Sequence, residues 1–187
     1  MPIPDHLNSL IHTEKQKAFP NDFLATWQSH ETWDLADIGG DLVEAPKKFK
    51  ILSEDVVDYN LSCGEKDPLM VDPEYAAKHS PTGGLVVHPV FVTAIVFYCL
   101  GDAGKGTWIR TPGARNPYQD IDLKEPLKVG EEITLKFRNS DKYLQRGKNY
   151  ANLDCYFYNS EGVLKGTWLC ALILPENKEA ARKYAEA

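Results

Sequence analysis

The run VFVTAIVFYCL, from Val90 to Leu100, constrains the fold more than any other part of the sequence. Its side chains are apolar on every side of a helix, and such a helix has to be surrounded by protein rather than laid on a surface. Pro89 comes directly before the run and suits the first position of a helix, where its missing N–H is not needed. The run is too short to span a bilayer. The sequence therefore predicts a buried central helix over about residues 89–101.

The second half of the chain predicts antiparallel strands. Apolar and polar residues alternate with a period of two over residues 133–138 and again over residues 151–158, as is typical of strands with one buried face. The tetrapeptide Asn159–Gly162 (NSEG) predicts a hairpin turn into a last strand over Val163–Leu174. A sheet of this kind can bury the apolar helix by curling around it.

The first half predicts one strand and two helices. Residues 5–18 have apolar side chains at helical spacing, with Asp5 as a plausible N-cap. A strand is predicted between Asp41 and Ile51. A helix is predicted from Ser53, with acidic residues in its first turn, to its end at Cys63–Gly64. This order indicates an α+β fold with a single domain over residues 41–175.

The remaining segments flank that domain. We expect residues 1–40 to form a helical and aromatic arm that packs on the domain. We expect residues 176–187 to form a solvated C-terminal tail, whose composition is typical of a helix. No Lys/Arg cluster is longer than Lys47–Lys48 and the formal net charge is −6, which argues against nucleic acid as a partner. The N-terminal residues lack the basic and apolar regions of a signal peptide. A soluble, cytoplasmic protein without a membrane partner is predicted.

The four cysteines and five histidines do not suggest bound metal or disulfides. Cys63, Cys99, Cys155 and Cys170 lie far apart, and three of them sit in apolar runs, so buried reduced thiols are predicted. The histidines show no ligand spacing. We therefore predict neither a metal nor a cofactor.

Three segments resemble one known family. GEKDPLMVDPEYA (residues 64–76) resembles its motif G-D-x-N-P-(L/I)-H-x-D-x-x-x-A, and LVVHPVF (residues 85–91) resembles I-(A/V)-H-G-(M/x)-(L/F). The block over residues 126–175 resembles the family's strands, with a P-(V/L)-x-V-G-(D/E) turn and an RGK-like stretch. The family is that of the MaoC-like dehydratases and (R)-specific enoyl-CoA hydratases, and the resemblance covers roughly residues 40–175. It implies the hot-dog fold, in which an antiparallel sheet wraps a central helix.

The resemblance also implies an activity. The family adds water across the double bond of a trans-2-enoyl thioester, or catalyses the reverse dehydration. An Asp and a His of its first motif hold and activate the water, and a backbone N–H at the glycine of its second motif polarises the thioester carbonyl. The N-terminus of a buried helix is physically suited to that last role, because it offers free donors and positive potential.

This sequence departs from both motifs. The family's Asp aligns with Glu65 and its Asn with Asp67, whereas its catalytic His aligns with Met70, which can neither donate nor accept a proton. His88 matches the second motif. The glycine that follows it in the family is Pro89 here, and proline has no N–H.

The candidate site residues follow from these alignments. Two neighbouring carboxylates in one pocket would repel each other and form an acid/base pair, and His88 is the histidine nearest to either motif. The catalytic candidates are Glu65, Asp67 and His88. The substrate-binding candidates are Met70 as a pocket wall, Gly84, Val87 and Pro89 around the second motif, and Arg146 and Lys148 for the phosphates of coenzyme A or phosphopantetheine. A solvated turn is the alternative for Arg146 and Lys148.

Three functions remain open at this point. The chain can be an active hydratase or dehydratase of an enoyl or 3-hydroxyacyl thioester with a modified acid/base site. It can be the non-catalytic, acyl-binding subunit of a hetero-oligomeric hot-dog dehydratase. It can also be a hot-dog enzyme that isomerises or cyclises a non-thioester substrate. The partners expected from the resemblance are an acyl-CoA or acyl-carrier thioester, and either a second copy of the chain or a sister hot-dog subunit.

Overall fold

The computed structural model describes residues 9–18, 26–101 and 105–186. Six antiparallel strands form one sheet, in the order β1-β4-β5-β6-β3, and β2 also pairs with β4. The strands are β1 (Val43–Glu44), β2 (Phe49–Lys50), β3 (Arg115–Leu123), β4 (Glu132–Gln145), β5 (Lys148–Tyr158) and β6 (Leu164–Ile173).

Short helices precede the long strands and one follows them. The α-helices are α1 (Glu14–Ala18), α2 (Ser53–Ser62), α3 (Pro68–Val71), α4 (Pro73–His79), α5 (Val92–Cys99) and α6 (Lys178–Ala185). Single turns of 3-10 helix cover Trp27–Ser29, Pro89–Phe91 and Thr107–Arg110. Among the described residues, no helix combines the length and the apolar character needed to cross a membrane.

The buried central helix is α5, as predicted. Val92, Ile95, Val96 and Cys99 have no solvent exposure, and they pack with the inward side chains of the sheet in one core. Pro89 opens the 3-10 turn that leads into the helix. The enclosure is incomplete, because Phe97 is 39% exposed. One side of the helix therefore borders an opening in the fold.

The two strands predicted from alternation are confirmed, and so is the last strand predicted after the turn. Buried and half-buried residues alternate along β4 and β5, and β5 pairs with β6 after the predicted turn. In that turn the N–H of Gly162 donates to the carbonyl of Asn159 at 3.0 Å. The side chain of Asn159 accepts from the N–H groups of Glu161 and Val163, which fixes the hairpin.

Other elements differ from the prediction. β3 was not predicted, because Pro117 interrupts it and most of its side chains are exposed. The strand predicted over residues 41–51 is two short strands, β1 and β2, separated by a segment that contains Pro46.

Both terminal helices are shorter than predicted. Within the described part of the arm, the helix starts only at Glu14, because Thr13 Oγ1 accepts from the N–H of Gln16 and caps it there; residues 5–8 lie outside the described residues. The C-terminal helix starts at Lys178, after Asn177 caps it.

The segments before and after the sheet are joined to each other. The N–H groups of Trp33 and Asp34 donate to the carbonyls of Pro175 and Glu176, at 3.1 and 2.9 Å. Lys178 Nζ donates to the carbonyl of Gln28 at 2.7 Å. Residues 28–34 are thus fixed by the chain that follows the last strand.

Three cysteines are buried, as predicted. Cys99, Cys155 and Cys170 are buried with free thiols, and Cys63 is exposed. Burial raises the pKa of Cys99 and of Cys170 to about 12. These thiols therefore remain protonated near neutral pH and act as small apolar side chains of the core.

Candidate functional site

The two motif segments lie side by side in the fold. We call residues 64–72 and 85–91 the motif loops. The N–H of Val86 donates to the carbonyl of Leu69 at 2.9 Å, which ties the second loop to the first. The structure therefore brings the segment that carries Glu65, Asp67 and Met70 next to the segment that carries His88.

Asn60, near the end of α2, connects both motif loops. Its side-chain Nδ2 donates to the carbonyl of Met70 at 2.8 Å and to the carbonyl of Val86 at 3.1 Å. Its backbone carbonyl accepts from the N–H of Glu65 at 3.0 Å. The residue is 0% exposed, and its Oδ1 has no hydrogen-bond partner among the described residues.

Sequence reasoning did not single out Asn60. One signal was available, because Asn60 follows the buried Val56 by four residues and thus lies on the same face of α2. A polar residue on the buried face of a helix indicates a specific hydrogen-bond partner. The partners themselves are carbonyls of distant segments, and no sequence pattern marks them.

The acids of the first motif loop have different surroundings. Asp67 Oδ1 accepts from the N–H of Leu69 at 2.9 Å and caps α3, and Asp72 caps α4 in the same way through the N–H groups of Glu74 and Tyr75. Both aspartates are exposed, whereas Glu65 is half-buried. Glu65 is therefore the acid of this loop that combines partial burial with no role as a helix cap.

His88 is held in one orientation at the start of the central helix. Its Nδ1 accepts from the N–H of Val90 at 3.1 Å. A neutral imidazole that accepts at Nδ1 carries its proton on Nε2. Pro89 has no N–H and the N–H of Phe91 donates to the His88 carbonyl. None of the first three positions after His88 thus has a free backbone N–H, and a neutral His88 offers its own Nε2–H at this place.

An apolar groove of about 370 Å³ lies next to the second motif loop, since Phe91 of that loop lines it, although His88 itself does not. We call it the arm groove, since the N-terminal arm forms one of its sides. The Tyr59 ring lies 6.0 Å from the ring of His88 and 5.1 Å from the ring of Phe91, measured between centroids. Five aromatic residues and one alanine line it from β2, α2, the 3-10 turn and the central helix: Phe49, Tyr59, Phe91, Ala94, Phe97 and Tyr98.

The remaining substrate-binding candidates are dispersed. Met70 is half-buried beside Asn60, Val87 belongs to the apolar core, and Pro89 is exposed. Gly84 lines a separate cavity of about 300 Å³ that also includes Lys128, just before β4.

Arg146 and Lys148 lie at the opposite end of the sheet. Arg146 is in the hairpin turn that follows β4 and adopts a left-handed backbone with φ of 50°, and Lys148 is the first residue of β5. Lys128, beside Gly84, precedes the first residue of the same strand. A strand of 14 residues spans roughly 45 Å. Within one chain the structure therefore does not bring Arg146 and Lys148 to the motif loops.

The comparison with solved structures identifies the fold. The chain has the hot-dog fold of MaoC-like dehydratases and (R)-hydratases. It superimposes on the unliganded R-hydratase PhaJ1 of Pseudomonas aeruginosa with a TM-score of 0.60 and 18% identity, over 78% of this chain and 86% of that one.

Two further structures are similar. For the HadBC (3R-hydroxyacyl-ACP dehydratase) complex of Mycobacterium tuberculosis the TM-score is 0.62 and the identity 19%, over 74% and 98% of the two chains. For the MaoC-like dehydratase of Rhodospirillum rubrum the values are 0.58 and 17%, over 77% and 96%. No protein-family model matches the sequence, and no curated protein matches it.

Proposed function

We propose that the chain is a hydratase or dehydratase that acts on an enoyl or 3-hydroxyacyl thioester through a modified acid/base site. One observation carries the proposal: the hydrogen bonds of Asn60 and Val86 join the loop of Glu65 to the loop of His88, and Phe91 of the second loop lines an apolar groove. Such a groove can hold an acyl chain while polar groups at its end act on the functional carbon atoms.

The proposed chemistry uses one carboxylate and one imidazole. In hydration, Glu65 takes a proton from water while the water oxygen bonds to C3 of the enoyl group, and the protonated Glu65 then gives that proton to C2, which restores the carboxylate. The negative charge that develops on the thioester oxygen is stabilised by the Nε2–H of His88, which replaces the backbone donor that Pro89 cannot provide. Dehydration is the same sequence in reverse. Asp67 shapes the loop as a helix cap and adds a second carboxylate beside Glu65.

The experiment compares the protein with its Glu65→Gln variant. Loss of the conjugated enoyl absorbance is followed with short and medium trans-2-enoyl-CoA substrates. We expect the variant to lose about 10²- to 10⁴-fold in kcat, because the amide cannot accept the proton of water. Glu74→Gln is the matched control, since Glu74 is an exposed acid two residues beyond the same loop. Equal rates for the two variants would exclude Glu65 as the base.

The second candidate is an acyl-binding subunit without catalysis of its own. It is favoured by Met70 and Pro89, which remove the imidazole and the backbone donor of the family motif. One of the similar structures is a complex of two subunits. This candidate predicts no turnover by the isolated chain at any acyl length, with turnover after addition of a second hot-dog subunit that has an intact motif.

A further inference from the structure

The N-terminal arm forms one side of the arm groove. Leu10, Ile11 and Thr13 line it from this side, together with Lys15 and Gln16 of α1. The opposite side consists of the aromatic residues of β2, α2 and the central helix. The arm lies outside the part of the chain that carries the two motifs, yet it borders the groove that is also lined by Phe91 and by Tyr59, whose ring lies 6.0 Å from the ring of His88.

Polar contacts to α2 fix the arm in this position. Lys15 pairs with Asp55, whose Oδ2 also accepts from the N–H of Leu52 at 3.1 Å. The side chains of Lys15 and Asp55 are 15% and 5% exposed, so this contact is enclosed by the groove walls. Lys15 Nζ also lies 4.8 Å from the centre of the Phe49 ring.

A second pair of contacts holds the arm at Asp58. His12 Nδ1 lies 2.7 Å from Asp58 Oδ1, and Gln16 Nε2 donates to Asp58 Oδ2. The hydrogen bond with Asp58 raises the pKa of His12.

These pairings determine what the groove can accept. Both acids that line it, Asp55 and Asp58, already have partners from the arm, so neither is open to a cationic ligand. Most of the surface that remains consists of aliphatic and aromatic side chains, with Thr13, Gln16 and Ser62 as the polar exceptions. An uncharged hydrocarbon chain matches such a surface, because burial of its methylene groups is favourable and needs no polar partner.

We propose that Leu10 and Ile11 form a specificity wall that limits the length of the acyl chain in the arm groove. This inference rests on the proposed function for the identity of the ligand. The hydrogen bonds and ion pairs to Asp55 and Asp58 keep the wall in place. Removal of bulk from the wall lengthens the preferred chain, and addition of bulk shortens it.

The test uses two substitutions at one position, one that removes side-chain volume and one that adds it. Ile11→Ala makes room for about two methylene groups, and we expect it to raise the affinity for dodecanoyl-CoA relative to butanoyl-CoA about tenfold. Ile11→Phe fills the groove, and we expect a change of similar size in the other direction. Titration calorimetry with butanoyl-, octanoyl- and dodecanoyl-CoA measures these ratios, and none of the three ligands can be hydrated.

Lys17→Ala is the matched control, because Lys17 lies on α1, pairs with Glu14 among the described residues and does not line the groove. The length preference of this variant should equal that of the unchanged protein. Asp58→Ala is a second test, since it removes one of the two sets of contacts that hold the arm without changing the wall residues, and it should broaden the length preference. A circular dichroism melting curve for each variant confirms that the fold is intact.

The outcomes separate this inference from the proposed function. Opposite shifts for the two Ile11 variants support the wall even when Glu65→Gln has no effect on turnover or turnover is absent. Turnover that depends on Glu65, combined with an unchanged length preference in both Ile11 variants, overturns the wall and leaves the function standing. Failure of all three acyl-CoA ligands to bind also overturns the wall.

Discussion

Asn60 shows how much one side chain contributes to the candidate site. The carbonyls of Met70 and Val86 belong to segments about 15 residues apart, and both accept hydrogen bonds from the same amide. A buried carbonyl without a donor costs about 1–3 kcal/mol. The relative position of the two motif loops therefore depends on this residue as well as on the Val86–Leu69 backbone bond.

The substitution Asn60→Ala tests this dependence. It leaves both carbonyls without their donor but also removes the unpartnered Oδ1, so we expect a net loss of about 2 kcal/mol in the free energy of unfolding. Urea denaturation measures the loss. Ser62→Ala on the same helix is the control, because Ser62 is exposed and its hydroxyl donates, among the described residues, to the Tyr59 carbonyl of its own helix. If Asn60→Ala lowers the free energy of unfolding no more than Ser62→Ala does, Asn60 does not hold the two motif loops together.

Glu31 gives a prediction for pH. Burial raises the pKa of its carboxyl group, although its Oε2 accepts from the N–H of Gly106 at 2.7 Å. The native state then binds more protons than the unfolded state between the unfolded pKa, near 4.5, and the raised native pKa. The contribution of Glu31 to stability is present below 4.5 and is lost as pH rises through the native pKa.

Glu31→Gln removes that titration and keeps an acceptor for Gly106. We expect the variant to melt at a higher temperature than the unchanged protein at neutral pH, with the difference vanishing in acid. Melting curves at a series of pH values measure it. The same series with Glu14→Gln, an exposed acid of the arm helix, should match the unchanged protein. A Glu31→Gln variant that melts lower at neutral pH would show that the carboxylate form is the stabilising one.

At the scale of elements, the sequence predicted the parts of the fold that have one buried face. β4 and β5 alternate clearly because every second side chain lies in the core that also contains α5, and α5 itself is apolar because most of it is buried in that core. β3 has no such signal, since both of its faces are largely exposed. Its pairing with β6 is made by backbone hydrogen bonds, and these do not require particular residue types.

The candidate site was predictable only in part. The motif pattern drew attention to Glu65, Asp67 and His88, and the structure adds that Asp67 is a helix cap and that Nδ1 of His88 accepts from the N–H of Val90. The arm groove was not predictable. It arises where the arm, β2, α2 and the central helix meet, and the arm shows only a short helical pattern.

At the scale of the whole molecule, β3 is an edge strand. It pairs only with β6 among the described strands, and Tyr118 on it is 61% exposed. An exposed strand edge offers unpaired backbone groups to a second chain. We propose that two copies associate through β3, as the resemblance to hot-dog proteins implies.

Sedimentation velocity over a range of concentrations tests this association. We expect a dimer, and we expect Tyr118→Asp to weaken it roughly tenfold or more by placing a charge at the centre of the contact. Val163→Asp is the control, since Val163 is an exposed apolar residue in the turn before β6. A chain that is monomeric at every concentration, and that associates only with a second hot-dog subunit, would favour the hetero-oligomer.

The backbone bonds between Trp33 and Pro175 and between Asp34 and Glu176 have a consequence for how the protein is made. A chain that leaves the ribosome presents residues 33 and 34 about 140 residues before their partners. At synthesis rates of 5–20 residues per second, these early residues wait roughly 7 to 30 seconds. During most of that interval the indole of Trp33 also lacks the Tyr150 carbonyl to which it later donates. Residues 33 and 34 therefore reach their native hydrogen bonds only after the segment that follows the last strand has been made.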